Sequence, residues 1–187
     1  MKRRILFISL VLVLMLTALV PATALAAKPQ TFYAAGAIDY IEATVVDENA
    51  FPAGNSGRWR VVDREIAGEL SGDVNGSFIM TYKANVESVD TQSGNFHGVL
   101  DVGEYNFKVN GKTQPVEVIA WLVPGQIPYL LQLTMGGHWT AQGTRGSGVF
   151  SGAVVFEPDW VLLEQTGQVH VGAIHPEMSP FTMTGKW

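Results

Sequence analysis

The stretch Gly76-Ser77-Phe78-Ile79-Met80-Thr81-Tyr82-Lys83-Ala84-Asn85-Val86-Glu87-Ser88-Val89 decides the fold class. Phe78, Met80, Tyr82, Ala84 and Val86 fall on one side of an extended chain. Ser77, Thr81, Lys83, Asn85 and Glu87 fall on the other, with Ile79 as the exception. Period-two alternation of this kind belongs to a strand with one buried and one wet face, the habit of antiparallel sheets. Gly94 to Val102 repeats it, with Phe96, Gly98, Leu100 and Val102 set against Asn95, His97 and Asp101. The intervening Asp90 to Gly94 is rich in turn formers, so the two strands are expected to form a hairpin.

Moving outward, a second hairpin is expected from Tyr105-Phe107-Val109 through Asn110-Gly111 to Val116–Val123, because Asn-Gly suits a type I′ turn. Further strands are expected at Phe32 to Val46, Trp59 to Leu70, Leu130 to Met135, His138 to Ala141, Val149 to Phe156, Gln168 to Ile174 and Phe181 to Trp187. All 20 glycines lie after residue 26 and punctuate these runs, and no long window carries a helical stripe. The expected fold is all-β, an antiparallel up-and-down β-barrel of about 8–10 strands, with a β-sandwich as the alternative. Long loops are expected at Asp47 to Arg58, Val123 to Pro128, Pro158 to Gly167 and His175 to Pro180, the last two with room for a helical turn.

The N-terminal segment reads as a targeting signal. Lys2-Arg3-Arg4 precedes an apolar run from Ile5 to Val20, then Pro21 and a small-x-small site at Ala24-Leu25-Ala26. That is the three-part pattern of a secretory signal peptide, residues 1–26, cleaved before Ala27. An uncleaved anchor is the alternative, but the run is shorter than the ~20 residues of a spanning helix. Of 187 residues, removal of 26 leaves 161, which is one domain, 27–187. The remainder holds nine basic and 17 acidic residues, a formal charge of −8. Such a balance argues against a nucleic-acid partner. No second apolar stretch is long enough to span a membrane. With no Cys, the chain has no disulfide, thiolate metal site or Cys nucleophile. The expected location is secreted or extracytoplasmic, in the cell envelope.

The glycines carry a resemblance. Gly68, Gly72 and Gly76 recur every four residues, and Gly146 to Gly152 reads Gly-Ser-Gly-Val-Phe-Ser-Gly. The latter resembles a strand of the secreted barrels related to allene oxide cyclases and dirigent proteins. The resemblance, from Arg64 to Phe156, implies an eight-stranded, calycin-like barrel that holds a hydrophobic small molecule. It transfers no catalytic residue to this chain.

Motif chemistry is sparse. No Gly-x-Ser-x-Gly elbow is present, so a Ser–His–Asp triad has no local support. His170 and His175 are five apart, which places them on opposite faces of a strand. A three-His metal site with His138 is conceivable, but hydrogen-bonded or solvated His is the simpler reading, and no metal or other cofactor is expected. Asp63, Glu65 and Glu69 share one face of their strand, opposite Val62, Ile66 and Leu70 with Arg60 and Arg64. These acids read as surface unless that face lines a barrel, where they would offer an acid–base pair. Asp73-Val74-Asn75-Gly76 begins like a calcium loop but lacks its later acids, so it reads as a turn. The five Trp are the main functional clue. Trp59, Trp121 and Trp139, with Tyr82, Phe96 and Arg145, are the expected lining of a ligand site, Trp139 at a barrel rim. The first expectation is a binding module for a small apolar or carbohydrate ligand. An envelope structural or interaction protein without a pocket comes second, marked by a solid core of Phe78, Met80, Phe96, Trp121 and Phe156 plus one exposed apolar patch. A cofactor-free isomerase or cyclase comes third.

Overall fold

The computed structural model describes residues 29–42, 50–54, 56–87, 92–143, 145–167 and 169–187. The expected leader and its cleavage site, and the Ala43–Val46 part of the first expected strand, lie outside these residues.

Eleven strands are present in the described residues: β1 (Thr31–Ile41), β2 (Ala50–Pro52), β3 (Trp59–Gly72), β4 (Gly76–Val86), β5 (Gly94–Val102), β6 (Tyr105–Thr113), β7 (Glu117–Val123), β8 (Ile127–Ala141), β9 (Ser147–Pro158), β10 (Val171–Ile174) and β11 (Pro180–Lys186). Eight of them close into an antiparallel ring in the order β1-β3-β4-β5-β6-β8-β9-β11, and β11 returns to β1. Each ring strand pairs with the next ring strand along the chain, so the barrel is up-and-down. The other three sit in long connections: β2 on β3, β7 on β8 and β10 on β9. A two-turn helix, α1 (Trp160–Thr166), and a 3-10 turn, Pro176–Met178, occupy the two loops expected to hold helical turns.

The two ends differ. One carries tight turns at Asp73–Asn75, Gly103–Glu104 and Gln142–Gly146. The other carries every long connection, including β7, α1 and β10. At the tight end the expected Asp-Asn turn is present. Asp73 Oδ2 accepts from the Tyr33 N–H at 2.7 Å, and Asn75 Oδ1 accepts from the Gly72 N–H at 3.0 Å.

The alternation read from β4 and β5 holds along both strands. Phe78, Met80, Tyr82, Ala84 and Val86 point inward beside Phe96, Leu100 and Val102. Aromatic rings fill the interior. Tyr82–Phe96, Phe96–Phe150, Phe150–Phe181 and Phe78–Phe181 form a chain with centroid spacings of 5.6, 6.0, 5.9 and 5.0 Å. At the tight end Phe32, Phe107, Trp139 and Trp187 form a second cluster, with Phe32 4.8 Å from both Trp rings. Many of these rings face a glycine across the sheet: Phe78 faces Gly68, Phe96 faces Gly111 and Phe181 faces Gly152. A Cβ at any of the three would lie within 3 Å of the ring atoms opposite. The glycines are the seats of the core aromatics, a packing device that lets a narrow barrel hold large rings.

Three expectations are corrected. Asn110-Gly111 is not a turn, because β6 runs straight through it, pairing Gly111 with Phe96 on one side and Gly137 on the other. Gly111 serves the ring of Phe96 and the close backbone of Gly136, not a positive φ. Consequently Val116–Val123 does not pair with Tyr105–Val109; its core, β7, pairs with β8. The separate strands at Leu130 and His138 are one strand, β8, carried through Gly136-Gly137 without interruption. Finally, a bulge in β3 with Asp63 at φ 52° interrupts the alternation, so Val61 and Arg64 both point inward and Val62 does not.

Candidate functional site

The bulge in β3 creates the main polar feature of the interior. Arg64 is fully buried at the loop end, opposite Tyr82 in register, and its Nη1 lies 3.7 Å from Glu42 Oε1. Burial pushes the Tyr82 hydroxyl up to about 12, opposed by the Arg64 cation and reinforced by the Glu42 carboxylate. Arg64 stands on the strand face that the sequence assigns to Ile66 and Leu70. Its role went unseen because a single Arg among hydrophobic residues carries no motif.

Around this feature the space is closed. Ile66, Met80, Tyr82, Phe96, Thr113 and Met135 meet without room for a water molecule. Thr113 Oγ1 accepts from the Gly94 N–H at 3.1 Å and donates to the Gln92 carbonyl, which ties β5 to β6 at the mouth.

The six residues expected to line one site are distributed over three places. Trp59, Tyr82 and Phe96 are at the loop end, with Trp59 half-buried on β3 opposite Val86. Trp139 is at the tight end, and it is not at a rim: it is 0 % exposed. Its indole N–H is shared by the Val149 and Thr184 carbonyls at 3.2 and 3.1 Å, the pairing that a buried Trp requires. Arg145 lies in the exposed β8–β9 turn. Trp121 lies on β7, outside the barrel and 46 % exposed, so of the five residues marking a solid core only Phe78, Met80, Phe96 and Phe156 are buried.

The hairpin that carries Trp121 is the most unusual surface of the molecule. Val123-Pro124-Gly125-Gln126 forms its turn, with Gly125 at φ 74° and the Gln126 N–H donating to the Val123 carbonyl at 3.0 Å. Val118, Ile119, Trp121, Leu122, Val123, Ile127 and Tyr129 are all exposed, Leu122 to 60 %. From Val118 to Thr144 the chain has no Asp, Glu, Lys or Arg. All but Ala120 of the residues from Val118 to Val123 are exposed, so the hairpin is apolar on both faces. Among the described residues its outer edge is unpaired, since β7 ends the sheet.

Of the remaining candidates, Glu69 and His175 have hydrogen-bonded partners. Glu65 and Glu69 are exposed on the outer wall, and Glu69 accepts from the Ser77 hydroxyl at 2.6 Å. His175 sits between Glu157 and Glu177, each 3.2 Å from one ring nitrogen. The Glu177 carboxyl is held below its usual range, first by its own backbone N–H and then by His175. His138 is on the outer wall of β8, in register with Asn110, and does not join His170 and His175. Among the described residues no group of three His, Cys, Asp or Glu side chains is arranged to hold a metal ion. No helix is long and apolar enough to cross a membrane among the described residues.

Comparison of the chain with protein families, characterised proteins and solved structures finds no match.

Proposed function

We propose that this chain is an exported interaction protein of the cell envelope, in which a filled barrel holds an apolar hairpin out toward a partner. One observation carries the reading: large apolar side chains are exposed on both faces of β7 and the start of β8, while the barrel interior is packed shut. An exposed apolar patch rimmed by polar surface marks an interaction site. The apolar leader supports export, and the loop end, where the hairpin projects, is the end at which barrels vary their contacts.

The test is distribution between soluble and envelope fractions of the source cell, for the native chain and for a Trp121→Ser, Leu122→Ser double variant. Burial of the two side chains is worth roughly 1.5–3 kcal/mol each, so the variant should lose envelope association at least tenfold while unfolding at the same temperature. Equal distribution of the two proteins would overturn the reading. Native mass spectrometry of the exported protein checks the interior: a small molecule released on denaturation would move the assignment to a ligand carrier.

A further inference from the structure

The outer wall of β4, β5, β6 and β8 carries a second surface, distinct from the hairpin. Register builds a straight row across it: Lys83 faces His97, His97 faces Asn110 and Asn110 faces His138. Lys108 and Lys112 lie two residues either side of Asn110, so they point to the same side. All six side chains are exposed. Two grooves of about 610 and 400 Å³ run over the row and share Asn110. Neither groove is lined by a carboxylate, although the chain carries 17 acidic residues against 12 basic ones. Two acids flank the row: Asp63, 3.9 Å from Lys83 in a pair whose members are both half-exposed or more and which solvent and salt readily loosen, and Asp101, on the outer face of β5 four residues from His97, which accepts from the Asn106 amide.

The floor of the larger groove holds Gly136, which barrel packing does not demand. A Cβ at Gly136 would lie 3.3 Å from the nearest atom, the Phe150 carbonyl oxygen, whereas one at Gly111 or Gly137 would meet backbone oxygen at 2.4 or 2.1 Å. Gly136 faces outward and keeps the groove open.

The chemistry of the lining selects the ligand. Lysine ammonium groups bind anionic groups as point charges. The amides of Asn95, Asn110 and Gln114 and the hydroxyl of Thr134 both donate and accept, as sugar hydroxyls require. No Phe, Tyr or Trp lines either groove, where the rings present are the small imidazoles of His138 and His97, so a neutral sugar face has no broad stacking platform. We propose that this wall binds an acidic polysaccharide strand, with its anionic groups on Lys83, Lys108 and Lys112 and its hydroxyls on the amides between them.

Calorimetric titration of the intact chain with polygalacturonate, with dextran sulfate and with neutral dextran tests this. At least one acidic polymer should bind, more weakly as salt is raised, and neutral dextran should not. Which acidic polymer binds distinguishes carboxylate from sulfate recognition. The Lys108→Gln, Lys112→Gln double variant should weaken binding at least tenfold, and Gly136→Thr should do the same through the groove floor. The thermal unfolding temperature of each variant serves as the folding control, and the Trp121→Ser, Leu122→Ser variant should bind as the native chain does. Absence of binding to both acidic polymers would overturn the proposal, as would binding indifferent to the lysine substitutions. Equally tight binding of a single-stranded oligonucleotide would replace the polysaccharide with a generic polyanion.

Discussion

Trp139 shows how much a single residue settles in this molecule. Its ring touches Phe32, Phe107 and Trp187, and its N–H serves two carbonyls on neighbouring strands. Trp139→Phe removes volume and leaves both carbonyls without that donor, and it should cost about 2–3 kcal/mol in urea unfolding. The glycines offer a sharper comparison. Gly111→Ala places a methyl group against backbone and the Phe96 ring and should destabilise by about 1–3 kcal/mol, whereas Gly136→Ala should stay within about 1 kcal/mol. Equal effects would mean that the Gly–aromatic seats do not govern packing. Tyr82 gives the pH prediction. Its ionisation is raised by burial from 10.0 to about 12, so folding stability from this group is intact below pH 10 and is lost as pH rises toward 12. Ultraviolet difference titration should show a tyrosine step near pH 12 that disappears in Tyr82→Phe.

At the scale of elements, strands with strict alternation were legible and strands defined by their neighbours were not. β4 and β5 announce their inward faces because each alternates large apolar with polar residues. β6 contains Asn-Gly, the strongest local turn signal, yet extends because pairing on both edges outweighs a two-residue preference. The β3 bulge was hidden for a related reason: Asp63 tolerates a positive φ but does not demand one as a glycine would, and pairing within the barrel selects it. The β7–β8 hairpin should be the least protected part of the sheet. Few side chains bury it and one edge is open, so hydrogen exchange in β7 should proceed at opening free energies well below those of β4 and β5. Protection of β7 equal to that of β4 would show that a partner, such as a second copy, already covers it. In α1, Asp159 accepts from the Leu162 N–H at 3.0 Å, and Gly167 closes the helix in the left-handed region. That cap explains why so short a helix persists, a stop-and-start pair visible in the sequence only after the helix is known.

For the whole molecule, closure depends on the seam between β1 and β11, seven register pairs from Thr31–Lys186 to Ala37–Pro180. Deleting Pro180–Trp187 would leave β1 and β9 with open edges and remove Phe181 and Met183 from the core. The truncated chain should lose its cooperative thermal transition and aggregate, while the intact chain shows a β-type circular dichroism spectrum. Composition and alternation alone determined that this is an all-β chain of short antiparallel strands, because a strand's faces are written in its own residues. They also identified Trp and Gly as the residues on which the architecture turns. Only the tertiary structure decided where those residues act. Ring closure sends Trp139 inward and leaves Trp121 outside, brings Tyr82 and Phe96 together and separates both from Arg145. It also sets Lys83, His97, Asn110 and His138 from four strands in one row, flanked by Lys108 and Lys112. Such placements follow from pairing between distant segments, and the register between strands is a property of the closed sheet that no single strand encodes.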